Sequence, residues 1–152
     1  ADGVLSLRLS GAQAAVRAAC ASLGGEEVGA QEAAAFWVGV REQTLPWFGL
    51  DVGGAALWRL SVPSAAPALK LPGEQFIEWG GAQRWLRSTA PVERVRARAA
   101  ELGGHAVLFR GGDRQSEVFQ PLAAPLLAIH RRLKAAFDPA GVFNRGRLYQ
   151  EF

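Results

Sequence analysis

The segment from Ala56 to Arg110 restricts the fold more than any other part of the chain. Ala56–Val62 reads A-L-W-R-L-S-V, apolar and polar residues in near alternation, the period of a strand. Gln75–Trp79 and Gln83–Arg87 read as two more strands, and Gly80-Gly81-Ala82 between them is a hairpin signal. Pro91–Leu102 places Val92, Val95, Ala99 and Leu102 on one helical face, with Gly103-Gly104 as its stop. His105–Arg110 is a further strand, and Ser64–Leu69 is expected to form a short helical turn. Strand, helix, strand, strand, helix, strand is the ferredoxin-like split βαβ order. It predicts an α+β fold, an antiparallel sheet with helices packed on one face.

The flanks extend this reading. Val4–Leu9 alternates and is expected to be a strand. Ser10 and Gln13 have capping-box spacing at the head of a helix whose apolar face is Ala12, Val16, Ala19 and Leu23, ended by Gly24-Gly25. Glu26–Val28 is a candidate short strand. Gln31–Gln43 is a second helix with Ala33, Phe36, Trp37 and Val40 as its buried stripe, ended by Pro46. Gly49–Gly54 and Gly111–Gln120 read as loops. Leu122, Leu126, Ile129, Leu133 and Phe137 then mark one face of a long helix, with His130, Arg131, Arg132 and Lys134 off it.

Composition excludes several kinds of function. The chain has 152 residues, 49% hydrophobic and 20% charged, enough for one packed domain and unlike a disordered segment. It has no methionine and begins at Ala1, which sets the expectation of an internal piece of a longer polypeptide. Cys20 stands alone, so no intrachain disulfide, CxxC site or iron–sulfur cluster is expected. The 15 arginines are scattered and no RNP-like string occurs, so no nucleic-acid partner is expected. The longest apolar runs, such as Leu122–Ile129, are too short to span a bilayer, and no signal peptide opens the chain. His105 and His130 have no ligand-spaced partner, so no metal is expected. Ser61, Ser64 and Ser88 sit in no G-x-S-x-G context.

The C-terminal helix stops at Asp138-Pro139-Ala140-Gly141. Pro139 disfavours helical dihedrals at Asp138, and Asp, Pro and Gly are placed for a type I turn. The whole stretch is L-K-A-A-F-D-P-A-G-V-F-N-R-G-R-L-Y. It resembles the C-terminal signature of FAD-linked oxidases of the vanillyl-alcohol oxidase type, except that Arg145 stands where the family usually has proline. Leu57–Pro63 (L-W-R-L-S-V-P) and Glu78–Leu86 (E-W-G-G-A-Q-R-W-L) narrow the resemblance to the FAD-binding E subunit of bacterial glycolate oxidases.

The resemblance implies a C-terminal substrate domain spanning 1–152, whose FAD is bound mainly by a separate N-terminal domain not contained in this chain. It implies a sheet face laid over the flavin and a share in a pocket for a small 2-hydroxy acid, glycolate, oxidised to glyoxylate. It also implies a flavoprotein D subunit and an iron–sulfur F subunit as partners. The location implied is cytoplasmic, peripheral at the inner membrane through those partners. The isolated domain is then expected to be inactive. A stand-alone ferredoxin-like ligand-binding or interaction module is the alternative.

Arg59 lies mid-strand, sharing a face with Leu57 and Ser61. It either clamps a substrate carboxylate, pairs with an acid such as Glu78, or is solvated on an open face. Trp79, Gln83, Arg84 and Trp85 flank the hairpin, and either line the flavin or substrate cavity or fill the core and pair across the strands. Asn144 has the donor and acceptor that suit a flavin edge, or it adopts a left-handed turn conformation. Arg147 is a second cofactor-side candidate, or a surface arginine of the tail. No residue is assignable as a catalytic base.

Overall fold

The computed structural model describes residues 3–49, 53–113 and 118–150. The predicted loops at 50–52 and 114–117 lie partly outside that range. The chain forms two compact units, 1–47 and 48–152.

The first unit holds helices α1 (Gln13–Leu23) and α2 (Ala30–Arg41). Gly24, at φ 69, ends α1 as expected. The capping box does not form: the N-cap is Ala12, and no side chain caps the helix. The expected strands Val4–Leu9 and Glu26–Val28 do not form either. A strand exists only where a ladder satisfies its backbone groups, and neither segment has one among the described residues. On α2, Val40 is buried and Ala33, Phe36 and Trp37 are half-buried, as the stripe predicted. The helix ends before Pro46. Gln43 turns left-handed (φ 51) and its side-chain amide donates to the Arg41 carbonyl at 2.6 Å. At Gly39 a Cβ would stand 2.6 Å from Leu45 Cδ2, so a larger residue there would have to displace the Leu45 side chain.

The second unit is built on one sheet of strands β1 (Ala56–Ser61), β2 (Glu74–Glu78), β3 (Gln83–Ser88) and β4 (His105–Arg110). The order is β2-β3-β1-β4, and every neighbouring pair is antiparallel. That is the ferredoxin-like arrangement the element order implied. Helix α3 (Val92–Glu101) carries β3 to β4 and buries Val95 and Ala99 against one face. The core on that face is Trp58 and Leu60 from β1, Leu86 from β3, and Ala106 and Leu108 from β4. These are the inward positions of a period-two alternation, and their burial is the main driving force of this unit.

The first crossover departs from expectation. Ser64–Leu69 forms a single turn and not a helix; Ala66 N–H bonds the Pro63 carbonyl at 2.9 Å and the chain then runs irregularly. Pro63, Pro67 and Pro72 punctuate the segment, and proline removes a donor and constrains the residue before it. Leu69 and Leu71 still enter the core. The carbonyls a helix would have satisfied internally are taken by two arginines. Arg84 donates to Ala66 (2.5 Å), Pro67 (2.6 Å) and Gly81 (3.1 Å). Arg98 donates to Leu69 (2.8 Å) and Ala68 (2.9 Å). Four consecutive carbonyls are thus held by guanidinium groups.

Helix α4 (Ala124–Phe137) forms as predicted, with Pro125 in its first turn. Its apolar stripe is not buried within the unit: Leu126, Ile129, Leu133 and Phe137 are each at least half exposed.

Arg84→Met keeps the aliphatic stem and removes the donors to three carbonyls. It is expected to cost about 3 kcal/mol, the scale of lost charge-assisted hydrogen bonds plus unsatisfied acceptors. Urea denaturation should show the loss, with Arg98→Met, whose side chain is more exposed, costing less.

Candidate functional site

The face of the sheet opposite α3 carries most of the chemistry. Strand register arranges it in rows. Glu78, Gln83, Ser61 and His105 lie side by side across β2, β3, β1 and β4; Phe76, Trp85, Arg59 and Val107 form the next row. Glu74, Arg87 and Leu57 follow, and there β1 and β4 slip register so that Phe109 is an extra residue on β4.

One end of this face is apolar and closed. Trp85 is 1% exposed and meets Phe48 edge-on at 5.3 Å and Phe109 at 4.8 Å between ring centroids. Phe48 also packs on Phe76 at 5.5 Å. Such edge-to-face pairs are the favoured aromatic geometry. Arg87 borders the cluster, ion-paired to Glu74 at 2.6 Å and bonded to the Gly49 carbonyl at 3.2 Å. Glu78 locks the corner: its Oε1 accepts the Gln83 amide at 2.7 Å and the Trp85 indole N–H.

The other end is polar and open. Arg59, Ser61 and His105 are exposed, and Gln83 is half-buried beside them. Arg59 stands on a central strand between Trp85 and Val107. Among the described residues it has no hydrogen bond or ion pair. Glu78, the acid considered for it, is committed to Gln83 and Trp85. A guanidinium at the centre of a sheet, its five donors unspent and its flanks apolar, is suited to a planar anion such as a carboxylate.

The sequence-predicted residues therefore separate. Arg59, Gln83 and Trp85 share the face, with Trp85 as buried floor. Arg84 points to the opposite face, 4% exposed, bound to the crossover. Trp79 is 77% exposed at the hairpin tip, where Trp79, Gly80 and Gly81 are successively left-handed at φ 55, 59 and 97. A tryptophan there is strained. Gly81 has a second constraint, since a Cβ would lie 2.6 Å from the Ser64 carbonyl oxygen. From the sequence His105 was weighed only as a metal ligand and Glu78 only as an ion-pair partner for Arg59; neither was a pocket candidate. Parity along their strands was readable, but which residues oppose them depends on register.

The C-terminal turn is a separate cluster. Gly141 N–H bonds the Asp138 carbonyl at 2.9 Å, closing the predicted turn. The Asp138 carboxylate accepts Lys134 Nζ at 2.6 Å and the backbone N–H groups of Val142 (3.0 Å) and Phe143 (2.9 Å). Lys134 also donates to the Phe143 carbonyl, and Arg145 ties its own turn by donating to the Gly141 carbonyl. Asn144 is left-handed at φ 49, and both it and Arg147 are exposed. A hollow of about 370 Å³ opens beside the turn, rimmed by Arg131, Lys134, Asp138 and Arg145. Among the described residues no group of three or more His, Cys, Asp or Glu is placed to hold a metal ion, and no helix is long and apolar enough to cross a membrane.

This is a ferredoxin-like α+β sheet with one packed face and one face whose Arg59 has no partner among the described residues. The chain is similar to glycolate oxidase subunit GlcE of Escherichia coli (strain K12), with 50% identity over 150 residues. The match takes in 99% of this chain and 40% of that protein, in its C-terminal part. Over that stretch the two are homologues; the chain spans about two fifths of the relative's length. No family model and no solved structure matches the chain.

The Asp138 carboxyl is held down from 3.8 to about 2, chiefly by the Lys134 hydrogen bond and also by the Val142 and Phe143 N–H groups, against the opposing effect of burial. A lowered folded-state pKa stabilises above the unfolded value. The turn is therefore expected to be fully secured above about pH 4 and to loosen as pH falls through about 2. An NMR titration following the Asp138 carboxyl and the Val142 and Phe143 amides checks this. Asp138→Asn should abolish that pH dependence.

Proposed function

We propose that this chain is the C-terminal, substrate-side domain of an FAD-dependent glycolate oxidase subunit. In this reading it covers one side of the flavin and supplies part of the pocket in which glycolate is oxidised to glyoxylate. The observation that carries the reading is Arg59, an unpaired guanidinium on the open sheet face of a chain half identical to a glycolate oxidase subunit.

The residues present fit the role of a cover better than that of a cofactor cradle. The sheet offers a broad face with hydrogen-bonding groups at one end, suited to lie against a ring system. The described residues hold no Gly-rich strand-to-helix phosphate loop, which leaves the cofactor's phosphates to the rest of the polypeptide. The flavin, when bound, accepts the two electrons removed from the substrate carbon.

The chain's own residues bind and orient. Arg59 grips the glycolate carboxylate through paired N–H donors. Ser61 and His105, adjacent in register on neighbouring strands, lie within reach of the substrate hydroxyl. Glu78 positions: it holds the Gln83 amide and the Trp85 indole, so the floor beside Arg59 stays fixed. Asn144 and Arg147, on the tail, face the cofactor side. The apolar stripe of α4 is covered by the flavin-bearing part, and D and F subunits complete a cytoplasmic assembly. Alone, the chain is colourless and inactive.

Kinetics on the full-length protein tests the reading. Arg59→Met is expected to raise KM for glycolate by about 10- to 100-fold, matching the loss of one charge-assisted bidentate contact, with flavin content unchanged. Arg59→Lys should recover only part of it, because an ammonium cannot form the planar pair. An unaltered KM in both variants overturns the role of Arg59. A full-length protein that binds no flavin overturns the whole reading in favour of a stand-alone binding module.

A further inference from the structure

The first unit contains a strand-like segment without a sheet. Val4-Leu5-Ser6-Leu7-Arg8-Leu9 alternates so that Leu5, Leu7 and Leu9 fall on one side and Ser6 and Arg8 on the other. Yet it forms no ladder, and its side chains lie in solvent: Val4 is 93% exposed, Leu5 80% and Leu7 57%. None of its backbone groups has a partner among the described residues. After three intervening residues α1 begins, and it has no fully buried residue; Leu23, on its apolar stripe, is 58% exposed. An alternating segment, a short connection and an amphipathic helix make a βα unit. Such a unit gains stability by placing its strand in a sheet and its helix across that sheet. Here both halves are present, and among the described residues the segment pairs with no strand.

We propose that residues 4–9 are a strand that adds to a sheet supplied by the rest of the full-length polypeptide, with the Leu5/Leu7/Leu9 side buried beneath α1. The occupant is a strand of the same polypeptide. The GlcE relative, which aligns with 150 of the 152 residues, carries an equivalent of this segment and extends well beyond the match. The unmet need is backbone pairing along six residues plus one apolar face, and a strand edge satisfies both together. The inference goes beyond the flavin reading and does not rest on it: the sheet could belong to any domain built from the remaining chain.

Hydrogen exchange read by mass spectrometry tests it, comparing the full-length polypeptide with this chain. Amides of residues 5–9 are expected to exchange near the intrinsic rate in this chain and at least about 100-fold more slowly in the full-length monomer. Free exchange in the full-length protein overturns the proposal. So does protection that appears in this chain and rises with its concentration, since that result assigns the strand to a second copy. Flavin absorbance recorded on the same full-length sample reports separately on the proposed function, so either reading can fail without the other.

Discussion

The second unit depends on two arginines holding a stretch of chain that cannot hold itself. A split βαβ sheet needs both crossovers to cover one face. The first crossover here contains three prolines and forms no helix, so the carbonyls of Ala66 to Leu69 have no helical donors. Arg84 and Arg98 supply them, reaching Ala66, Pro67, Ala68 and Leu69 in succession. That lets Leu69 and Leu71 enter the core beside Leu60 and Leu86 without leaving buried acceptors unmet. Arg84 also reaches Gly81, so the clamp links the crossover to the hairpin tip, where Gly81 already presses on Ser64. Core, crossover and hairpin are one mechanical unit.

With one face secured, the other is free to carry chemistry. Its polarity is graded along the strands. Phe48, Phe76, Trp85 and Phe109 interlock at one end, and Arg59, Ser61 and His105 remain open at the other. Glu78 sits where the two regions meet and accepts from both the Trp85 floor and the Gln83 amide. Leaving a guanidinium unpaired on a central strand forgoes stabilisation that a neighbouring carboxylate would provide. Sites that depart from the most stable local choice are where function is to be sought.

Much of this could be read from the sequence, and the misses share a cause. Strands β1 to β4 and helices α3 and α4 were recognisable because period and punctuation are local. The Asp138 turn was recognisable because Pro139 and Gly141 restrict their own dihedrals. Ser64–Leu69 keeps only its first turn, because its fate depended on donors 17 to 30 residues away. Val4–Leu9 forms no strand here because strand character is a property of a pair, and no pairing strand occurs for it among the described residues. Arg84 and Arg59 looked equivalent in sequence, each within a strand beside tryptophan; parity put them on opposite faces, and only packing revealed which face was closed.

The sequence by itself determined the kinds of element, their order and the tail's turn, since these follow from side-chain period and backbone dihedral preference. It also determined that β1 would bear an arginine among apolar neighbours. The tertiary structure alone decided which arginines the fold consumes and that Arg59 is not among them within the described residues. Register brings Trp85 and Val107, not an acid, alongside Arg59, and register is a long-range outcome of burying one face of every strand at once.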